Sequence, residues 1–408
     1  MGVFVKENLG IYIHIPFCVQ KCRYCDFTSY AGKGEELKNR YIKSLLNQIQ
    51  QMATGRCAAS LPSFGGRTVD SIFFGGGTPS LLSPAQLGEI MTELRSHFVL
   101  TDDCEITMEA NPGTVSLETL QGYRNLGFNR ISFGVQSMEP EILKILGRIH
   151  GPEEAAESVR LAREAGFENL NLDLMFGIPG QTLEQWKSTL AKITDLKPEH
   201  ISFYSLQVEE GTPIYNEIKF GRLEPLTDEE DREMYHVGLE YLRDQGYHQY
   251  EISNGAKPGK ECRHNIKYWT LSDYVGFGVS AHGFVDGVRY SQGDDLMEYI
   301  ETLEQGESPV VWTHNNQLED SASEFMFTGL RLAQGVDLDE FEQRFGMAME
   351  TMYHEILAEL EEYERQGFVV VEEGGAEGAG CHGEETHRRM YLTERGMDIS
   401  NRIMALFV

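Results

Sequence analysis

Residues 11–27 read IYIHIPFCVQKCRYCDF. The opening run, IYIHIP (11–16), is rich in β-branched and aromatic side chains, which predicts a strand that stops at its proline. Directly after it come Cys18, Cys22 and Cys25, a Cys-x3-Cys-x2-Cys loop. Thiols at that spacing can wrap one metal group, and soft thiolates select an iron–sulfur cluster or zinc over hard cations. A structural zinc site wants four ligands, and only three lie close together here. Three thiolates on a four-iron cluster instead leave one iron open for an exchangeable ligand. Three buried cysteines without a metal are the bland alternative, and the polar neighbours Gln20, Lys21 and Arg23 argue against it.

Similar apolar runs recur at SIFFGG (71–76), EITMEA (105–110), RISFGVQ (130–136), NLNLDLMFG (169–177) and HISFYSLQV (200–208). Helical patterns separate them. Their start signals are Ser83-Pro84, Ser116 and Pro152, and Gly127 and Gly166 follow helix ends. Strands alternating with helices imply parallel pairing and right-handed crossovers. Near-continuous apolar strands such as NLNLDLMFG fit a sheet covered on both faces. Six units are too few for a closed eight-stranded barrel. The expected fold is therefore α/β, a partial (β/α)6 TIM-type barrel that gathers ligands at the C-terminal strand ends.

Residues 1–245 are the expected barrel and 246–319 a connecting segment. Residues 320–408 are expected to form a smaller helical, winged-helix-like domain. There, SASEFMFTGLRLAQG and LDEFEQRFGMAMETMYHEILAELEEYERQG have helical periodicity, and FVVVEE with RRMYLTERG reads as a β-hairpin. The stretch 55–68 reads as an exposed loop, and the Gly- and Glu-rich stretch 372–389 as a flexible hairpin tip.

The chain has 408 residues and a formal net charge of −29, from 64 acidic and 35 basic side chains. Such a surface repels phosphate backbones, so nucleic acid is not an expected partner. No apolar run has the length needed to span a bilayer, and the start MGVFVKENLG lacks the features of a signal peptide. Lys6 stands where a myristoylation motif wants Ser or Thr, so the expected location is the cytoplasm. Seven cysteines in such a chain suggest metal binding or catalysis rather than disulfides. Cys57, Cys104 and Cys381 have no spacing partner and are assigned no metal.

The three-cysteine loop resembles the hallmark of the radical S-adenosylmethionine superfamily. The resemblance implies a 4Fe-4S cluster on Cys18, Cys22 and Cys25, whose open iron chelates the amino and carboxyl groups of S-adenosylmethionine. An electron from a donor then cleaves the sulfonium bond to give a 5′-deoxyadenosyl radical, chemistry that belongs to the cofactor. Gly75-Gly76-Gly77-Thr78-Pro79 is similar to the family motif that receives the methionine amino group, which places Gly76, Gly77 and Thr78 at the ligand. Glu109, Gln136 and Asp173 lie at strand ends, and Arg148 follows a helix. Polar groups there are costly without a partner or a task, and structural ion pairing is the alternative reading. With Tyr12 and Tyr24, these residues match S-adenosylmethionine contacts of the coproporphyrinogen-oxidase branch.

YIHIPFC, GGGTPS, EANPG, ISFGVQS, GRIH and LDLMFGIPGQ extend the resemblance, over nearly the whole chain, to the oxygen-independent coproporphyrinogen III oxidase family. That family contains the oxidase and the HemW-type haem chaperones. Three features favour the chaperone group. Phe27 stands where the oxidase carries a further cysteine; only 17 residues precede Cys18, where the oxidase has a long extension; and His264-Asn265-x-x-Tyr268-Trp269 is similar to the chaperone group's HNxxYW motif. That motif implies haem contacts from His264, Asn265, Tyr268 and Trp269. Imidazole is a common axial ligand and flat aromatics pack on a porphyrin, although an isolated histidine among aromatics is also an ordinary core residue. Cys262 and His282 remain alternative ligands, and His14 is expected to shape the cysteine loop.

The resulting expectation is a haem chaperone on a radical S-adenosylmethionine scaffold, holding a 4Fe-4S cluster, S-adenosylmethionine and haem and delivering haem to acceptor proteins. An electron donor, a homodimer and a peripheral association with membranes are the further partners this implies. The runner-up is an enzyme, the oxygen-independent coproporphyrinogen III oxidase, acting by radical oxidative decarboxylation. A third reading is a radical enzyme with an unrelated substrate. No catalytic residue is assigned.

Overall fold

The computed structural model describes residues 8–57, 61, 63–373 and 388–408. They fold into two compact units. The first comprises Met1–His248, Gly255–His264 and Asp273–His314, and the second Gln249–Asn254, Asn265–Ser272 and Asn315–Val408. The segment 246–319 is thus divided between the two.

In the first unit, β1 (Leu9–Ile15), β2 (Thr68–Gly76), β3 (Val99–Ala110), β4 (Arg130–Gln136), β5 (Leu170–Phe176) and β6 (His200–Ser205) lie side by side in chain order. Every neighbouring pair is parallel. This is the expected partial barrel, and the six strands are those read from the sequence with ends moved by a few residues. Its sheet runs further than expected. β7 (Tyr274–Phe277) joins parallel to β1, and β8 (His282–Val285) and β9 (Val288–Gln292) continue antiparallel from it.

Local chemistry accounts for the helices between the strands. α1 spans Glu35–Ala53. Ser83 caps α2 (Pro84–His97), and Ser116 caps α3 (Leu117–Asn125), each in a reciprocal capping box. Pro152 is the first residue of α4 (Pro152–Glu164), and Thr182 and Thr227 cap α5 (Leu183–Asp195) and α6 (Asp228–Asp244). Gly127 and Gly166 have φ of 100° and 92°, the left-handed conformation that releases the chain after α3 and α4.

The outer faces of the strands bury a core that includes Phe74, Phe128, Phe133, Phe167 and Trp186. Full burial of each such side chain stabilises the fold by about 1.5–3 kcal/mol. The alternate positions carry a polar set. Asn171 donates to Ser132 (2.7 Å), Asp173 (2.7 Å) and Ser202 (3.0 Å), and His200 Nδ1 meets Asn171 Oδ1 at 2.6 Å. Burial keeps His200 neutral, so its ring donates to that amide oxygen.

Most described residues of the stretch 55–68 are exposed, but three side chains turn inward. Phe64 stacks on Tyr290 at 6.4 Å, Cys57 Sγ meets Ser308 Oγ at 3.1 Å, and Cys57, Leu61 and Phe64 are buried. Apolar side chains spaced along a polar stretch found a surface that local pattern does not reveal.

In the second unit, Leu318–Gly329 forms α8. The long helical pattern that follows breaks into Leu338–Phe345, Met349–Met352 and Leu357–Arg365, with Gly346 left-handed at the first break. β10 (Val336–Asp337), β11 (Val369–Glu373) and β12 (Arg388–Leu392) form a small sheet with β12 central, and β11 and β12 are antiparallel. RRMYLTERG is strand only to Leu392, because Thr393 caps a helical turn, Glu394–Met397. Residues 374–387 of the expected hairpin tip, with Cys381, lie outside the described residues. Among those described, no helix is long and apolar enough to cross a membrane.

Candidate functional site

The C-terminal ends of β2 to β6 and the loop after β1 enclose a cavity of about 470 Å3. Cys18, Cys22, Tyr24 and Cys25 line it, as do Gly76, Gly77, Glu109, Gln136, Arg148 and Asp173. Ten of the residues singled out for the cluster and S-adenosylmethionine therefore meet at one place. Tyr12 and Thr78 stand one layer behind it. Among the described residues, no three His, Cys, Asp or Glu side chains converge closely enough to hold a single metal ion. Cys18, Cys22 and Cys25 nevertheless face one cavity, a soft thiol donor set of the kind that holds an iron–sulfur cluster.

The thiols are tied together by a chain of hydrogen bonds. Thr78 Oγ1 donates to Cys18 Sγ at 3.6 Å and accepts from Asn111 Nδ2 at 2.8 Å. Asn111 Oδ1 accepts from Arg148 Nη2 at 2.5 Å, and Arg148 Nη1 donates to Cys22 Sγ at 3.2 Å. Arg148 also donates to the carbonyl of Gly134. Asn111 was not singled out from the sequence, although it sits in EANPG directly after β3. Burial raises the Cys25 thiol, and its neighbours Cys22 and Cys18 add to that while the Phe27 backbone and Lys21 oppose it.

Two buried acids, Glu109 and Asp173, face the cavity. Burial raises Glu109 to about 8, nearby Asp173 adds to the shift, and the Gly76 N–H and Arg130 oppose it. Burial also raises Asp173, against hydrogen bonds from Ser202, Asn171 and Ser132. Such a pair disfavours two negative charges unless a positive ligand arrives. Gln136 reaches the site because the β4–β5 register shifts between Gly134 and Gln136, and its φ is 67°. A bulged strand end with a left-handed, non-glycine residue is a feature held in place by its surroundings, as functional sites often are.

The glycine turn has a tighter rationale than backbone approach to a ligand. A Cβ on Gly75 would meet the Tyr12 and Phe73 rings at 3.1 Å, and one on Gly76 the His14 ring at 2.5 Å. A Cβ on Gly77 would meet the Phe17 carbonyl at 2.7 Å. Gly76 N donates to Glu109 Oε2 at 3.2 Å, so the turn also orients one of the acids.

The HNxxYW residues lie elsewhere. α7 (Arg263–Trp269) begins with Arg263 and His264 in the first unit and continues with Asn265–Trp269 in the second. His264 is 1% exposed, with Nδ1 3.0 Å from Ser71 Oγ and its ring stacked on Phe73 at 5.5 Å. Tyr268 and Trp269 are partly buried and edge to face at 6.4 Å. Arg331 lies over the Trp269 ring at 4.3 Å, and the indole N–H has no hydrogen-bond partner among the described residues. Cys262 is fully buried beside Glu105, whereas His282 is exposed on β8. Gly283 lies against Tyr290, where a Cβ would meet the ring at 2.2 Å, so a side chain there is excluded by packing.

Three cysteines and a glycine turn at the mouth of a parallel partial barrel define a radical S-adenosylmethionine protein. Residues 12–193 match the radical SAM superfamily and residues 316–377 the HemN C-terminal domain. The chain is 36% identical to heme chaperone HemW of Bacillus subtilis (strain 168), over 97% of this chain and 98% of the relative. It is 37% identical to heme chaperone HemW of Escherichia coli (strain K12), over 98% of each. The fold matches the solved coproporphyrinogen III oxidase (HemN) of Escherichia coli, described as a radical SAM enzyme, with a TM-score of 0.83. That match covers 98% of this chain and 90% of the other at 23% identity. The chain belongs to the heme chaperone HemW family.

Proposed function

We propose that the chain carries haem to acceptor proteins and that its cavity holds a 4Fe-4S cluster and S-adenosylmethionine. The observation that carries the cavity reading is the meeting of three thiols, two cation-seeking acids and Arg148 in one space at the strand ends. Cys18, Cys22 and Cys25 would hold the cluster, and Arg148 and Thr78, already donating to two of the sulfurs, would offset its negative charge. Glu109 and Asp173 would face the positive charge of S-adenosylmethionine, with Gly76, Gly77, Gln136 and Tyr24 along its length. When bound and reduced, this cofactor pair supplies radical chemistry. The protein's part is to fix the two groups against each other and limit access of water.

Phe27 supports carriage over porphyrin synthesis. It is 63% exposed at the cavity mouth, at the position where the oxidase carries a further cysteine. For the cargo, the proposed contacts are His264, Asn265, Tyr268 and Trp269; the Trp269 N–H, buried without a hydrogen-bond partner among the described residues, would donate to a propionate once uncovered. The buried His264 ring must be uncovered before it can ligate iron, while His282 is accessible as it stands. An anaerobic assay with coproporphyrinogen III, S-adenosylmethionine and a reductant tests the reading against its rival. No decarboxylated product is expected from the cluster-loaded chain. Steady turnover would replace the carrier with an oxidase.

A further inference from the structure

His264 is deep in the first unit, and what it touches there leads to the other end of the barrel. Its ring stacks on Phe73 with centroids 5.5 Å apart and planes 24° apart. Phe73 stacks in turn on Tyr12 at 6.4 Å and the same 24°. Tyr12 OH lies 3.1 Å from His14 Nδ1, and His14 Nε2 lies 2.9 Å from the carbonyl oxygen of Thr28. Thr28 closes the loop that carries Cys18, Cys22 and Cys25. Burial lowers the His14 pKa, so the ring is neutral. A carbonyl can only accept, so Nε2 carries the hydrogen and Nδ1 accepts from the tyrosine hydroxyl.

The lower end of this column is anchored as firmly as the upper. Glu105 of β3 accepts from the backbone N–H groups of Arg263 and His264, both at 3.3 Å, and from Cys262 Sγ at 3.6 Å. Ser71 holds the imidazole from the side at 3.0 Å. Gly75 and Gly76 leave the space through which the column passes, since a Cβ on either would strike its rings. Close-packed interiors transmit displacement because their side chains have no slack to absorb it.

We propose that His264 is a positioning residue for the cysteine loop, acting through the stacked rings of Phe73 and Tyr12 on His14 and the Thr28 carbonyl. The motif residue therefore has a task at the cluster that does not require haem. The inference rests on the reading of Cys18, Cys22 and Cys25 as cluster ligands. Ring stacking is the link, so a phenyl group at position 264 can serve in place of imidazole, whereas a methyl group cannot.

The test uses the full chain, reconstituted with cluster and kept free of haem, and compares the parent with His264→Ala, His264→Phe, Phe73→Leu and Ser71→Ala. The readouts are the electron paramagnetic resonance spectrum of the reduced cluster, with and without S-adenosylmethionine, and the Kd for S-adenosylmethionine. His264→Ala and Phe73→Leu should both alter the g-values and raise the Kd by about fivefold or more, a factor matching loss of one good contact. His264→Phe should retain the parental spectrum and affinity, as should Ser71→Ala. Parental spectra and affinities in both His264→Ala and Phe73→Leu would overturn the inference. So would His264→Phe behaving like His264→Ala. Should His264→Ala fail to fold, Phe73→Leu, which keeps an apolar side chain, decides alone. A parent chain that takes up no iron or sulfide would refute the cluster reading instead, which separates the two failures.

Discussion

Replacing Glu109 with Gln should remove most of the pH dependence of S-adenosylmethionine binding. In the ligand-free cavity burial and the adjacent Asp173 hold this carboxyl at about 8, against 4.5 for an ordinary glutamate. The sulfonium charge of S-adenosylmethionine does not titrate and favours the ionised acid. Binding therefore releases a proton at pH values between the lowered ligand-bound midpoint and the ligand-free one, and affinity rises with pH over that window. At pH 7 the acid is about one unit below its midpoint, so ionising it costs about 1.4 kcal/mol, a factor of about ten in affinity. The parent Kd should fall about tenfold from pH 6 to 7, about fivefold from 7 to 8, and then level off. Glu109→Gln should show a shallow profile and a Kd at pH 8.5 at least about tenfold above the parent, as expected for loss of a charge-assisted contact. Anaerobic titration calorimetry in buffers of different ionisation enthalpy measures both the Kd and the proton release. A flat parental profile from pH 6 to 8, or a parental slope retained in Glu109→Gln, would refute the assignment of this acid to the ligand's charge.

Gly77→Ala should abolish S-adenosylmethionine binding, because the added Cβ would sit 2.7 Å from the Phe17 carbonyl and 2.9 Å from that of Ile15, both backbone atoms that cannot step aside. Equilibrium dialysis on the cluster-loaded variant checks this, and parental affinity would show that the turn can shift without consequence. Cys18→Ala, Cys22→Ala and Cys25→Ala should each lose the four-iron complement in iron and sulfide analysis, and full retention in any one would remove that residue from the ligand set. If the buried His264 ligates haem, stopped-flow growth of the Soret band should reach a rate that no longer increases with haem concentration, limited by uncovering of the ring. A rate linear in haem throughout, with normal binding in His264→Ala and weakened binding in His282→Ala, would move the ligand to the exposed His282.

The barrel was legible because its signals are local. IYIHIP, SIFFGG and RISFGVQ carry their strand character within six or seven residues, and Ser83, Ser116 and Pro152 mark helix starts by hydrogen-bonding capacity or ring geometry within one turn. The cysteine loop was legible for a similar reason, since its ligands share eight consecutive positions. What escaped was long-range. β7 pairs with β1 across more than 250 residues of chain, and nothing in YVGF announces its partner. Asn111 owes its place to a side chain spanning Thr78 and Arg148, a relation visible only once three strand ends are adjacent. HNIKYW leaves a core histidine and a haem ligand equally open, because the enclosure of His264 depends on Ser71, Phe73 and Glu105, which are distant in sequence. The register shift that turns Gln136 inward likewise has no local sign.

A radical S-adenosylmethionine barrel that serves as a haem carrier must bind haem in a defined ratio. An anaerobic haem titration of the cluster-loaded chain, followed by Soret absorbance, tests it most directly. A sharp endpoint near one haem per chain is the predicted result. A linear rise without saturation, at concentrations where the cluster and S-adenosylmethionine are both bound, would contradict it.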